Sequence, residues 1–344
     1  DSKVVVENAL AFANALRERL ESPPHGLTVW QDRQREEGGR DWWLQITQAL
    51  DSVEFMVLVM TPAACTSPTV KREWRYARQH GVCVYPVVAS KDIDIASLPK
   101  WMQSIHWYDL EHQEQKFFND LKTRCQVQRV PNMGGTPGEG TVYRKGRIAE
   151  LKKSLLRGNG DPARSTTALV GPGGYGKTTI AQLLCEDDDI QSAFDDGVLW
   201  VTLGKEATTA RLVSLISDLV ETVTAERPSF EGMDAASTRL REVLADRDVL
   251  LVLDDVWQAS GLQALLMASP SCARLITTHR LRLLPADTAE VKVGAMNPSE
   301  SVELLAKVIG TGNHDELEQV AERLGYWPLL LGFAGAWLRT RIME

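Results

Sequence analysis

Thr167-Ala168-Leu169-Val170-Gly171-Pro172-Gly173-Gly174-Tyr175-Gly176-Lys177-Thr178-Thr179 reads as an apolar strand, a glycine-rich loop and the opening of a helix that runs on through Ile180-Ala181-Gln182-Leu183-Leu184-Cys185. A loop in that setting is a phosphate cradle. Gly171, Gly173, Gly174 and Gly176 let backbone N–H groups turn inward on an anion, and the helix N-terminus adds its positive end. Lys177 reaches the outer phosphates, the Thr178 hydroxyl is placed to ligate Mg²⁺, and Thr179 completes the motif. The reading therefore predicts a nucleoside triphosphate with Mg²⁺.

Downstream, Val249-Leu250-Leu251-Val252-Leu253 runs straight into Asp254-Asp255. A buried strand thus delivers two carboxylates at its carboxyl end, where parallel α/β sheets bind ligands. One of them, Asp254, is expected on Mg²⁺, and its neighbour is expected to polarise an attacking water. Around this pair the pattern predicts a helix over 147–157, a strand over 197–203, helices over 208–224 and 234–245, and a helical segment from Asn297 that opens with the capping-box-like Asn297-Pro298-Ser299-Glu300.

The wider composition restricts the partners. The chain has 344 residues with 38 Lys plus Arg against 46 Asp plus Glu, a net charge of −8, so two or three domains are expected and a broad nucleic-acid-binding surface is not. Five scattered cysteines without CxxC spacing predict reduced thiols and a cytoplasmic location. The apolar runs fall short of the ~20 residues that span a bilayer, and no secretory signal precedes Asp1. The first residue is not Met and the last falls within a helical pattern, which predicts a piece of a longer polypeptide.

Residues 1–126 alternate helix and strand: a helix carrying Val5, Ala9, Phe12, Leu16 and Leu20, a strand over 26–30, a polar loop over 31–40, a helix over 41–50 capped by Asp41, a buried strand over 55–60, a helix over 67–80, a strand over 82–88, a short strand over 105–108 and a helix over 111–125. This order predicts a parallel sheet with helices on both faces. A Pro- and Gly-bearing linker follows over 127–140.

The first segment resembles the TIR domain, on Gly26-Leu27-Thr28-Val29-Trp30-Gln31-Asp32, Val57-Leu58-Val59-Met60-Thr61-Pro62, Glu73-Trp74-Arg75-Tyr76-Ala77, Val84-Tyr85-Pro86-Val87 and Trp107-Tyr108-Asp109-Leu110. The second resembles the NB-ARC class of signal-transduction ATPases, on the phosphate cradle, Phe194 to Gly204, Leu250 to Trp257, Leu275-Ile276-Thr277-Thr278 and Gly325-Tyr326-Trp327-Pro328-Leu329-Leu330. Together they imply an α/β protein: a flavodoxin-like three-layer TIR domain over 1–126 lacking its first strand, a P-loop NTPase domain with a parallel sheet over 141–295, and a small all-α domain over 296–344.

The TIR resemblance implies NAD⁺ cleavage with Glu73 as the catalytic carboxylate, and an NAD⁺ pocket that includes Trp30, Asp32, Arg33 and Thr69. Thr69 stands where many active relatives carry an aromatic residue. The residues alone also allow Glu73 to be a surface ion-pair partner of Lys71, Arg72, Arg75 and Arg78. From the NB-ARC resemblance come nucleotide contacts at Val142, Arg144 and Pro328, with His279 where a sensor Arg follows Thr-Thr and Arg280 one place later. It further implies ATP or ADP with Mg²⁺ as cofactors, self-association through both domains, and an activating ligand sensed by a C-terminal region outside this sequence. The expected function is a nucleotide-switched immune or antiphage receptor whose TIR domain releases nicotinamide on assembly. A non-catalytic TIR scaffold that recruits partner TIR domains is the alternative.

Overall fold

The computed structural model describes residues 2–31, 40–123, 129–138, 140–156, 165–310 and 312–343. Contacts divide the chain into two compact units, Asp1–Val130 and Pro131–Glu344.

The first unit contains α1 (Ser2–Glu21), α2 (Arg40–Ser52), β1 (Phe55–Met60), α3 (Pro62–Thr66), α4 (Pro68–Gln79), β2 (Cys83–Val88), α5 (Lys100–Ser104) and α6 (Leu110–Lys122). β1 and β2 pair in parallel from Phe55↔Cys83 to Met60↔Val88. Side chains of a strand alternate between its faces, and this alternation builds three layers. Phe55 and Val57 pack with Leu16 and Leu20 of α1 and Phe117 of α6, while Leu58 and Met60 pack with Val70 and Trp74 of α4. Ser67 caps α4 by accepting from the Val70 amide, with Pro68 in the first helical turn, where its missing N–H costs nothing.

Four sequence expectations for this unit change. Residues 26–30 are extended but join no ladder among the described residues; Leu27 and Val29 still pack against the α1–α6 cluster, so the apolar alternation found its face without a hydrogen-bonding neighbour. The strand expected over 105–108 contracts to one bridge, Val87↔Tyr108, because Asp109 already caps α6 by accepting from the Glu111 amide. Asp41 falls inside α2 rather than at its cap, since the helix starts at Arg40. Cys65, Cys185 and Cys272 are free and buried as expected, but Cys83 is disulfide-bonded, a pairing that scattered spacing gives no means of reading.

The second unit begins with α7 (Lys145–Leu156), β3 (Thr166–Val170), α8 (Lys177–Cys185), α9 (Asp188–Ala193), β4 (Val198–Gly204), α10 (Thr209–Thr224) and α11 (Met233–Leu244). It continues through β5 (Leu250–Val256), α12 (Ala259–Ala268), β6 (Ala273–Thr278), β7 (Ala289–Lys292), α13 (Pro298–Ile309), α14 (His314–Arg323) and α15 (Pro328–Met343). The strands form one parallel sheet in the order β4-β5-β6-β3-β7. Val170, Val201, Leu251 and Leu253 bury one face against α10, α11 and α12. Leu169, Leu250, Val252 and Leu275 bury the other against α7 and α8. Being covered on both sides, the strands read as continuous apolar runs rather than alternating ones. α13, α14 and α15 close around Leu305, Ile309, Leu317, Ala321 and Leu331, a small all-α layer of their own.

This topology sets the site. β3 lies between β6 and β7, so the loop that leaves it emerges between two other strand ends, and the helix that follows starts at the carboxyl edge of the sheet.

Candidate functional site

The loop after β3 is shaped by close backbone approach. A Cβ on Gly171 would lie 2.1 Å from the Val293 carbonyl oxygen at the end of β7, which glycine alone tolerates. Gly176 at the N-cap of α8 takes φ 85°, the left-handed region that favours glycine. The resulting cleft, about 960 Å³, is lined by Gly171, Gly173, Gly174, Gly176, Lys177 and Thr178, by Asp255 and Trp257, by Thr277 and His279, and by Lys292, Val293 and Gly294.

The Lys177 Nζ donates to the carbonyl oxygens of Gly171 and Pro172, both at 2.9 Å. Burial lowers its pKa from the ordinary lysine value, with Asp255 and Asp254 opposing that shift. Beneath the loop, the Thr178 Oγ1 donates to Asp254 Oδ1 at 2.9 Å and the Thr277 Oγ1 donates to the same oxygen at 2.6 Å. Asp254 is buried at 5% exposure, so this anion is held by two hydroxyls and by the lysine nearby. A hydroxyl and a carboxylate oxygen 2.9 Å apart beside a phosphate cradle are hard oxygen donors, and this pair fits Mg²⁺.

Asp255 differs from its neighbour. It is exposed and takes φ 54° at an irregularity between Leu253 and Val256 in the β5–β6 ladder. Its amide donates to Thr277 Oγ1 at 2.9 Å, and its Oδ1 accepts from the Trp257 indole at 2.8 Å. His279 lines the cleft, with its ring centroid 3.8 Å from that of Trp257. Burial lowers the His279 pKa first, then the charges of Arg280 and Lys177. Arg280 does not line the cleft; its guanidinium reaches back to the Trp257 carbonyl at 3.4 Å.

Other expected nucleotide contacts sit around the cleft rather than in its lining. Thr179 follows Thr178 in the first turn of α8. Arg144 is 4% exposed and donates to the carbonyls of Tyr175, Gly294 and Ala295 and to the Glu300 carboxylate at 3.1 Å. Burial lowers its pKa, and Glu300 opposes that. Val142 belongs to the core of α13–α15. Pro328 opens α15, where the Leu329 amide donates to the Gly174 carbonyl at 3.2 Å and Trp327 stacks on Tyr175. The helical layer therefore touches the loop directly.

Sequence reasoning had not assigned Trp257, Lys292, Val293 and Gly294 to the site. Trp257 sat in view at the end of Leu250-Leu251-Val252-Leu253-Asp254-Asp255-Val256-Trp257; only the fold shows its ring turned back on Asp255. Ala289-Glu290-Val291-Lys292 carries no apolar run, so β7 and the cleft wall it forms gave no signal.

In the first unit, Glu73 and Thr69 are half-buried on α4 and, four residues apart, share one helix face. Trp30 is 49% exposed at the end of the extended 26–30 segment. Asp32 and Arg33, with the rest of 32–39, lie outside the described residues. Two of the basic residues around Glu73 meet rings: the Arg72 guanidinium lies 3.9 Å from the Trp43 ring centroid and that of Arg78 4.1 Å from that of Trp101. No helix among the described residues is long and apolar enough to cross a membrane.

Comparison with known proteins supports both halves. A TIR domain model matches residues 6–123 and an NB-ARC domain model matches residues 144–315. Similar curated proteins include the regulatory protein AfsR of Streptomyces griseus, 27% identical over 201 residues that make up 56% of this chain and 20% of that protein. The disease resistance protein RGA2 of Solanum bulbocastanum is 33% identical over 140 residues, 38% of this chain and 14% of that protein. The chain thus spans about a fifth or less of these relatives' length. Among solved structures, a signal transduction ATPase with numerous domains (STAND) and a tetratricopeptide repeat sensor, from Pyrococcus horikoshii, aligns with a TM-score of 0.41 at 18% identity, covering 59% of this chain and 31% of that one.

Proposed function

The chain belongs to the NB-ARC family and carries a TIR domain ahead of its nucleotide-binding domain, and from that premise we propose that it is a nucleotide-switched receptor whose TIR domain cleaves NAD⁺ once assembled. ADP holds it closed; exchange for ATP and self-association through both domains bring TIR domains together in the cytosol. A complete two-state switch needs about 5.5 kcal/mol of differential binding, to which the terminal phosphate and a ligand sensed elsewhere in the full protein contribute jointly.

The observation that carries the switch is the convergence of Thr178 and Thr277 on one oxygen of Asp254 beneath the glycine loop. Bound Mg²⁺ supplies charge neutralisation between the outer phosphates, and Thr178 and Asp254 are the residues to hold it. Lys177, already desolvated beside the loop carbonyls, exchanges those two bonds for phosphate oxygens. The cradle N–H groups orient the phosphate chain, and Asp255 faces the cleft to polarise water. The helical layer reaches the loop at Gly174 through Leu329, so a nucleotide seated there is felt by α15.

NAD⁺ cleavage asks less of the protein. The C–N bond from ribose to nicotinamide breaks, nicotinamide departs neutral with the electron pair, water adds to the ribose carbon and a proton passes to solvent. A carboxylate at Glu73 stabilises the positive charge that builds on the ribose. Its place on α4, one residue before the buried Trp74, gives it a rigid base.

Two substitutions test the reading. Glu73→Gln in the assembled protein is expected to reduce nicotinamide release at least a hundredfold; release at the wild-type rate refutes the catalytic assignment. Lys177→Ala is expected to weaken ATP and ADP binding at least tenfold by calorimetry, and unchanged binding refutes the cradle. A wild-type assembly that releases no nicotinamide favours the scaffold reading, which the Thr at position 69 keeps open.

A further inference from the structure

Trp257, just beyond β5, gathers charged and titratable side chains from the ends of β4, β5 and β6. Its indole N–H donates to Asp255 Oδ1 at 2.8 Å, and its ring meets the His279 imidazole edge to face with centroids 3.8 Å apart. The Lys205 Nζ stands 5.0 Å from the ring centroid and the Arg280 guanidinium 5.5 Å from it, both within cation–π range. Arg280 also donates to the Trp257 carbonyl, and the Gln258 side chain donates to the Lys205 carbonyl at 2.7 Å. One indole therefore contacts a carboxylate of the cleft lining and three basic side chains.

Asp255 needs such a partner. Its φ of 54° lies in the left-handed region, which is strained for a residue with a Cβ, and strained backbone of this kind persists only where its surroundings over-determine it. Two bonds do so here: Thr277 Oγ1 accepts from the Asp255 amide and fixes the main chain, while Trp257 fixes the side chain. Without the indole N–H, an exposed carboxylate is free to turn into solvent. With it, the carboxylate stays in the cleft wall that also carries Lys177 and His279.

We propose that Trp257 is a positioning residue for nucleotide hydrolysis, holding the Asp255 carboxylate through its indole N–H and the His279 imidazole against its ring in the wall of the cleft. The inference rests on the nucleotide-binding reading of the cleft. In the step itself, water attacks the terminal phosphorus, the bond from phosphorus to the ADP oxygen breaks, and the proton leaves with phosphate or to solvent. Asp255 accepts the hydrogen bond of the attacking water, and His279 lies against the phosphate that departs. Trp257 touches neither water nor phosphorus; it fixes the direction of the two groups that do. The phosphate cradle is built without it, so binding of the diphosphate and hydrolysis of the triphosphate separate at this residue.

The test uses the full chain with Mg²⁺, calorimetric binding of ADP and ATP, and single-turnover hydrolysis of ATP. Trp257→Phe keeps a ring for His279 and removes the N–H. It is expected to leave ADP affinity within about twofold and to slow hydrolysis roughly ten- to a hundredfold, the scale of a misplaced catalytic group. Asp255→Asn is expected to slow hydrolysis comparably, and the double variant no further than the slower single one, because both changes remove the same alignment. Hydrolysis by Trp257→Phe at the wild-type rate overturns the proposal, as do fully multiplicative effects in the double variant. A parallel loss of ADP binding overturns it too, since that marks a residue that merely builds the fold. If the wild type binds neither nucleotide, the cleft reading fails and the proposal with it; if it binds ATP and cleaves none, the proposal alone fails.

Discussion

At the scale of single residues, the site depends on atoms that are absent as much as on those present. Gly171 exists as glycine because the Val293 carbonyl occupies the space a side chain needs. Gly171→Ala forces β3 and β7 apart at the mouth of the cleft, and overpacking of this kind costs about 1–3 kcal/mol. The expected outcome is a lower thermal midpoint together with lost ADP affinity, read by scanning calorimetry and titration. Lys177→Ala, by contrast, removes a charge already desolvated and is expected to leave stability nearly unchanged while binding falls. Comparing the two separates the loop's shape from its charge. Asp254 and Asp255 make the same point: neighbours in sequence, they part because Leu253 and Asp254 continue the ladder with β4 while Asp255 leaves it at a positive φ.

At the scale of elements, α13 links a local signal to a distant one. Asn297 accepts from the Glu300 amide at 2.7 Å and the Glu300 Oε2 accepts from the Asn297 amide at 3.1 Å, a complete capping box. The same oxygen of Glu300 also accepts from Arg144 at 3.1 Å. A four-residue motif legible in the sequence thus holds a buried guanidinium that no local pattern announces. Asn297→Ala is expected to cost about 1 kcal/mol, the usual worth of an N-cap. Arg144→Ala is expected to cost about 3–5 kcal/mol, as it removes one partner of a largely buried pair and frees the carbonyls of Tyr175, Gly294 and Ala295 as well. Chemical denaturation that shows Arg144→Ala no worse than Asn297→Ala argues against this hub.

At the scale of the whole molecule, the proposed function gives the two units different chemistry and different ligands. Mg²⁺ with ATP at about a thousand times its dissociation constant stabilises the unit that binds it by roughly 4 kcal/mol. The expected thermogram therefore shows the transition of Pro131–Glu344 moving upward with nucleotide and that of Asp1–Val130 staying in place. Lys177→Ala is expected to abolish the movement. A shift in both transitions shows nucleotide energy reaching the TIR domain within one chain, without assembly.

The sequence by itself determined the elements that depend on neighbours along the chain: the glycine loop between strand and helix, the apolar run into two aspartates, the Asn297 capping box, and the layering of helices on parallel strands. Periodicity and capping are local physics, so they survive reading without coordinates. Tertiary structure decided what depends on residues far apart in sequence. It placed β7 beside β3 although Val291 is the one residue of that strand it buries, linked Cys83 in a disulfide, drew Arg144 into the joint between α13 and the loop, and turned the Trp257 indole back onto Asp255. Each of these is a contact whose energy arises only when the sheet has assembled, and no pattern along one stretch of chain records it.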